Sequence, residues 1–345
     1  MTLDNHCKEK ISIEVIRTLV TKFADFPDEH ATNRNAPFHE AFLEAFTDKF
    51  DGKVTDTPML ISLSSWLHGL NTTLGQSFFE KTSHILCSGY KKEFKNMLQI
   101  STAQQIAISN IIKELKNDER KPNLAEEERL IYLDNTNHNN SISNFTVDCF
   151  FDDNETVVAI ELKTVKPNSG IFKNEKEKIL SAKAGLQNQH PDKKILYFLG
   201  FPFDPQSDTK TGYNKDSFMN YSVDCKKFFA IDEILLADEL WNFLSGEIDT
   251  MQQILDIINE IATPQFMASF RLLTDNSKKQ TSDYKEQLLK WNLFSELELV
   301  ENDSHIQSCI ANDKKLQRTY RKIPFDSQGN YQWERFNDLI KLLNN

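Results

Sequence analysis

The chain has 345 residues, long enough for a sizeable core and about two domains, with ordinary apolar (39%) and charged (26%) contents. No apolar run approaches the roughly 20 residues that cross a bilayer, and residues 1–10 lack the apolar core of a signal peptide. Five scattered cysteines without a CxxC pair argue against a zinc site or a disulfide framework, and suit a reducing cytoplasm. The net charge of −11 opposes nucleic acid at long range, but its distribution is uneven. Between Glu161 and Gly200 there are eight lysines against four acids, and residues 314–322 hold five cations and no acid.

In chain order, residues 11–50 carry apolar side chains at helical intervals, interrupted around Pro27 and Pro37. A second helical region follows Pro58, with Leu67, Leu70, Leu74 and Phe78 on one stripe and Thr73, Gln76, Glu80 and His84 on the other. A helix is expected over 103–116, then a polar loop to residue 144 with one short helix. The period then changes to two. Phe145, Val147, Cys149 and Phe151 alternate with polar residues, as do Val158, Ile160 and Leu162, on either side of Asp152-Asp153-Asn154-Glu155. A helix from about 174 to 187 and a buried strand at 194–199 follow. Residues 231–262 read as two helices divided near Ser245-Gly246, and the last eighty residues as mixed. The domains expected are an N-terminal helical extension (1–60), a core holding the alternating strands (61–205) and a mainly helical C-terminal part (206–345), which can equally continue the core.

The hairpin carries the chemistry. With Asp152 to Glu155 as its loop, Phe151 pairs with Thr156 and Asp148 lies opposite Ala159. Glu161 is then a diagonal neighbour of Asp148, roughly 7–8 Å away, with Lys163 on the same face. Two carboxylates and an ammonium on one face can hold a divalent cation such as Mg²⁺, which favours carboxylate oxygens and retained water. Without a metal the two acids would repel. Lys163 would orient a nucleophilic water or balance transition-state charge. The same tripeptide at Glu114-Leu115-Lys116 lies in a helical pattern, as does Glu93-Phe94-Lys95, and neither has an Asp on a preceding strand.

Asp148 followed by Glu161-Leu162-Lys163 on paired strands resembles the PD-(D/E)XK nuclease superfamily. Residues 70–80 resemble the first-helix motif of TdeIII-type type II restriction endonucleases, and residues 163–170 the segment after their catalytic strand. Residues 35–39 are similar to an N-terminal element of that family. Val147 stands where the superfamily's name has Pro. The resemblance implies an α/β (α+β) fold, a mixed central sheet flanked by helices with helical N- and C-terminal additions. It also implies Mg²⁺-dependent double-strand cleavage at a short DNA sequence, GGNCC-like, with Mn²⁺ able to substitute. The partners implied are double-stranded DNA, a second copy of the chain, and a separately encoded methyltransferase.

Glu80, on the polar stripe of its helix, is a third candidate metal or catalytic carboxylate. Candidate DNA contacts are Thr164, Lys166 and Asn168 after the active strand, Lys183 and Gln187 on the next helix, and Lys314, Lys315, Arg318 and Arg321. His68 and His84 read as satisfied or exposed side chains, and Trp241 and Phe243 as packing residues. Two other functions suit the same residues: a structure-specific repair or recombination nuclease, and a catalytically inactive DNA-binding protein.

Overall fold

A computed structural model describes residues 2–27, 37–43, 45, 57–95, 97–133, 140–163, 169–222 and 224–343. In chain order these form α1 (Asn5–Ala24), α2 (Pro37–Leu43), α3 (Thr57–Thr73), a π-helical turn (Leu74–Phe78), α4 (Phe79–Cys87), β1 (Tyr90–Phe94) and β2 (Gln99–Ile100). Next come α5 (Thr102–Lys116), α6 (Leu124–Ile131), β3 (Asn140–Ser141), β4 (Phe145–Asp152), β5 (Thr156–Leu162), α7 (Ser169–Gln189) and β6 (Lys194–Phe201). The chain continues through α8 (Lys215–Tyr221), α9 (Cys225–Phe228), β7 (Ile234–Leu236), α10 (Asp238–Ser245) and α11 (Thr250–Ile261). The last helices are α12 (Phe266–Leu273), α13 (Ser282–Lys290), α14 (Phe294–Glu301), α15 (Asp303–Ile310), α16 (Lys314–Tyr320) and α17 (Trp333–Ile340).

The chain divides into two compact units, one of residues 1–3 and 79–254, the other of residues 4–78 and 255–345. Within the second unit the N-terminal helix packs with the C-terminal ones. Phe23 of α1 stacks on Phe266 of α12, with ring centroids 5.5 Å apart, and the Glu9 carboxylate accepts from the backbone and hydroxyl of Ser295 at 2.7 Å each.

The first unit contains a five-stranded mixed sheet ordered β1-β4-β5-β6-β7. β1, β4 and β5 run antiparallel in turn, while β5, β6 and β7 are parallel. The parallel β5–β6 pair is joined through α7, the crossover that parallel strands require. β5 is the middle strand, and every residue from Val157 to Leu162 is buried. Its face is therefore not a half-open hairpin surface, because a strand with neighbours on both sides and helices above and below is enclosed. At Gly200 on β6, an added Cβ would come within 2.9 Å of Ile160 and 3.0 Å of Leu240, so β6 and α10 can approach closely only at glycine.

Two strands lie where periodicity indicates helix. β7 occupies Ile234–Leu236, within the stretch expected to be helical, and it is apolar throughout because it is buried. β1 holds Glu93-Phe94, whose neighbours Lys91, Lys92 and Lys95 obscure an edge strand with only one buried residue. The helices start from recognisable signals. Ser101 caps α5 in a reciprocal box with Gln104, and Asp4, Asn123 and Asp313 accept from backbone N–H groups at the starts of α1, α6 and α16.

Candidate active site

The β4–β5 turn fixes the register of the site. Asp153 accepts from the backbone N–H groups of Glu155 (2.8 Å) and Thr156 (2.6 Å) and from the Thr156 hydroxyl (2.8 Å), closing a tight turn around Asn154-Glu155. Asp152 pairs with Val157, Phe151 with Val158, Phe150 with Ala159 and Cys149 with Ile160. This register is shifted by two residues from that of a loop spanning Asp152 to Glu155. A shift of two leaves every side chain on its face. Continued one step, it sets Asp148 directly across from Glu161, a spacing of about 4.5–5.5 Å between Cβ atoms in such pairs. The Asp148 carboxylate then accepts from the Leu162 backbone N–H at 2.9 Å, which ties the two acids to adjacent backbone.

Lys163 begins just past the end of β5, held by its N–H to the Gly200 carbonyl at 2.9 Å. Its ammonium lies 2.9 Å from Glu161 and 3.0 Å from Glu175 of α7. Lys178, one turn further along α7, lies 2.6 Å from Glu175 and 3.0 Å from the other Glu161 oxygen. Two carboxylates and two ammoniums therefore form a closed ring at the end of β5. The Glu161 oxygen facing Lys178 is buried and accepts no aligned hydrogen bond.

On the other side of Asp148, Lys91 of β1 lies 3.9 Å away and pairs with Glu80 of α4 at 2.7 Å. Glu80 thus reaches the acid pair through a lysine. His84, also on α4, has Nε2 2.7 Å from the Asp148 carbonyl oxygen, so the tautomer bearing Nε2–H donates to it. The histidine anchors α4 to the strand that bears the acid, in keeping with a satisfied side chain.

The electrostatics follow from crowding. Burial, then repulsion from Glu161, push the Asp148 carboxyl up from its ordinary 3.8 to about 6, against the pull of the Leu162 N–H, Lys163 and Lys91. Burial disfavours the Lys163 ammonium, but Glu161 and Glu175 outweigh it and its pKa is raised. Burial likewise opposes ionisation of Glu175, and Lys178 and Lys163 more than compensate, so that carboxyl is lowered. Tyr197, beside Ala159 on β6, is pushed well above its ordinary range by burial and then by the field of Glu161, Glu175 and Asp148.

Among the described residues no three carboxylate, histidine or cysteine groups converge into a ready cage for a metal. The donor set still suits a hard divalent ion. Mg²⁺ is held by one or two carboxylates with retained water and substrate phosphate, and the buried Glu161 oxygen without an aligned donor is such an acceptor.

The other candidates fall in different surroundings. Lys183 is buried and pairs with Glu128 at 2.5 Å, so its ammonium is not available to phosphate. It sits five residues past Lys178, a rotation of about 140° to another face of α7. Gln187 donates to the carbonyls of His190 and Pro191 and closes the end of that helix. Five of the eight lysines between 161 and 200 are ion-paired within the fold: Lys163, Lys176, Lys178, Lys183 and Lys193. Much of the local positive balance is therefore paired internally among the described residues. Thr164, Lys166 and Asn168 lie outside the described residues. Lys314, Lys315, Arg318 and Arg321 are exposed on and just after α16, and no ion pair among the described residues engages them. Trp241 is buried and donates to the Pro202 carbonyl, a packing role.

Periodicity and motif spacing missed Lys91, Glu175 and Lys178. The signal available for the last two was their i, i+3 spacing, which puts both on one face of α7.

A family model for the type II restriction endonuclease HinfI matches residues 3–262. The chain belongs to this family of type II restriction endonucleases. It is also 40% identical to the type II restriction enzyme MjaII of Methanocaldococcus jannaschii over 369 aligned positions, covering 100% of this chain and 99% of the relative. These similarities establish a HinfI-like type II restriction endonuclease and do not address the TdeIII-type resemblance. The mixed sheet flanked by helices is the restriction-endonuclease-like core that family membership implies. Among the described residues, no helix is long and apolar enough to cross a membrane.

Proposed function

We propose that this restriction endonuclease cuts both strands of DNA at a short specific sequence by Mg²⁺-dependent phosphodiester hydrolysis, with Asp148, Glu161 and Lys163 at the reacting phosphate. The observation that carries this reading is the Leu162 N–H donating to the Asp148 carboxylate just past the last β4–β5 pair, Cys149–Ile160, which brings Asp148 beside Glu161-Leu162-Lys163 at the end of a central strand. Asp148 and Glu161 hold the divalent ion, for which Mn²⁺ can substitute. Bound there, such an ion lowers the pKa of a coordinated water and offsets charge on the phosphate. Lys163, its backbone fixed to Gly200, orients the attacking water or balances the developing negative charge. Glu80 acts through Lys91 or as a further metal carboxylate, and either role places it beside Asp148.

The protein partners in this reading are a second copy of the chain, matching the twofold symmetry of the target, and a separately encoded methyltransferase that protects the same sequence. Sedimentation showing a monomer both free and on cognate DNA would remove the dimer. Thr164, Lys166 and Asn168 contact DNA near the scissile phosphate, and the exposed cations of α16 contact the backbone. The whole-length likeness to a type II restriction enzyme favours sequence-specific cutting over structure-specific repair. Digesting plasmid DNA with Mg²⁺ and sequencing the ends tests the proposal. Discrete fragments sharing one short sequence, GGNCC-like in this reading, are expected; uncut or randomly nicked DNA would refute it.

A further inference from the structure

The ring at the end of β5 holds one cation more than the chemistry uses. Lys163 and Lys178 both engage Glu161, one on each carboxylate oxygen, at 2.9 and 3.0 Å. A divalent ion on Glu161 and Asp148 would enter beside the two ammoniums on Glu161, with Lys91 3.9 Å from Asp148 as a third, and like charges at such range oppose one another strongly. One of the lysines has to yield. Lys163 is anchored only at its backbone, by its N–H to Gly200, but its ammonium is the one the proposed reaction uses. The two side chains are equally exposed, but Lys178 borders a cavity of about 450 Å³ whose lining does not include Lys163. Asn174, Glu177, Ser181 and Phe145 also line that cavity, so a displaced ammonium finds room, water and a carboxylate within it. The Glu161 oxygen facing Lys178 is the one without an aligned donor, so the contact is held by charge and costs no well-formed hydrogen bond when broken.

We propose that Lys178 is a resident counter-cation of the metal-binding carboxylates, which must leave Glu161 before a divalent ion can occupy it. The inference rests on the reading of Asp148 and Glu161 as metal ligands. In the metal-free protein Lys178 offsets the charge of buried Glu161 and keeps the acid pair from repelling. The same contact sets the metal affinity, because each binding event must break it. Lys178 is a positioning residue, acting on the metal through Glu161.

The test measures metal binding without DNA or turnover, by calorimetric titration of the full-length protein with Mg²⁺ and by titration with Mn²⁺ followed by electron paramagnetic resonance. Lys178→Met keeps the stem and removes the charge, and should tighten binding by about tenfold or more, the size of effect expected from deleting a like charge at this range. Lys178→Arg keeps the charge and should bind like the wild type. Unchanged or weaker binding by Lys178→Met, or equal tightening by both variants, would overturn the proposal. Asp148→Asn separates this failure from a failure of the site itself. If Asp148→Asn loses metal while Lys178→Met gains nothing, only the role of Lys178 falls. If Asp148→Asn binds metal like the wild type, the site reading falls and the proposal with it.

Discussion

Replacing Asp148 by Asn should make the metal-free protein more stable while removing its activity. Asn keeps an oxygen for the Leu162 N–H and removes the charge that Glu161 repels. The sign follows from linkage. The carboxyl is raised from 3.8 in the ordinary state to about 6 in the fold, so folding disfavours its ionised form. Below about pH 4 it is protonated in both states and the penalty is absent; the penalty grows as pH rises towards 6 and is complete above that. Roughly two units at about 1.4 kcal/mol each set a ceiling near 3 kcal/mol, and relaxation of the partly exposed site reduces it to about 1–3 kcal/mol. Urea unfolding with a chelator present, at pH 8 and at pH 4, measures the difference. The variant should have the higher midpoint at pH 8 and nearly the wild-type midpoint at pH 4. Added Mg²⁺ should raise the midpoint of the wild type alone. A variant that is less stable at pH 8, or that gains as much at pH 4, would refute the crowding of Asp148 and Glu161.

Lys163→Met should abolish cleavage and leave metal binding measurable by calorimetry, because both carboxylates persist; loss of metal binding would place the ammonium in a structural role. Glu80→Gln should lower the cleavage rate less than any change at Asp148, Glu161 or Lys163, with partial rescue by excess Mg²⁺, since its path to the site runs through Lys91. Changing Lys314, Lys315, Arg318 and Arg321 together to Ala should weaken DNA binding across sequences and flatten its salt dependence by about 0.9 for each phosphate no longer neutralised, whereas an unchanged slope removes α16 from the interface.

The sequence carried the hairpin because its two strands alternate cleanly and one turn of Asp and Asn joins them. It did not carry the register. Asp153 closes the turn with its side chain, and that choice between a two- and a four-residue loop is made by hydrogen bonds that composition does not reveal. β7 was invisible because three buried apolar residues read equally well as helix. Asp148, Glu161 and Lys163 stood out by spacing and strand context, without help from the fold. Lys91, Glu175 and Lys178 did not, since they reach the acids from other elements and only tertiary packing decides which of many lysines and acids meet. The same packing buries Lys183 against Glu128 on α6, more than fifty residues earlier, a pairing that spacing along the chain does not reveal.

The most direct measurement of the central claim is cleavage of plasmid DNA by Glu161→Gln and Asp148→Asn under Mg²⁺ conditions in which the wild type cuts, with folding checked by circular dichroism. Both variants should be folded, should still bind DNA, and should leave the plasmid intact. Cutting by either folded variant at the wild-type rate would show that the reacting phosphate lies elsewhere than at the end of β5.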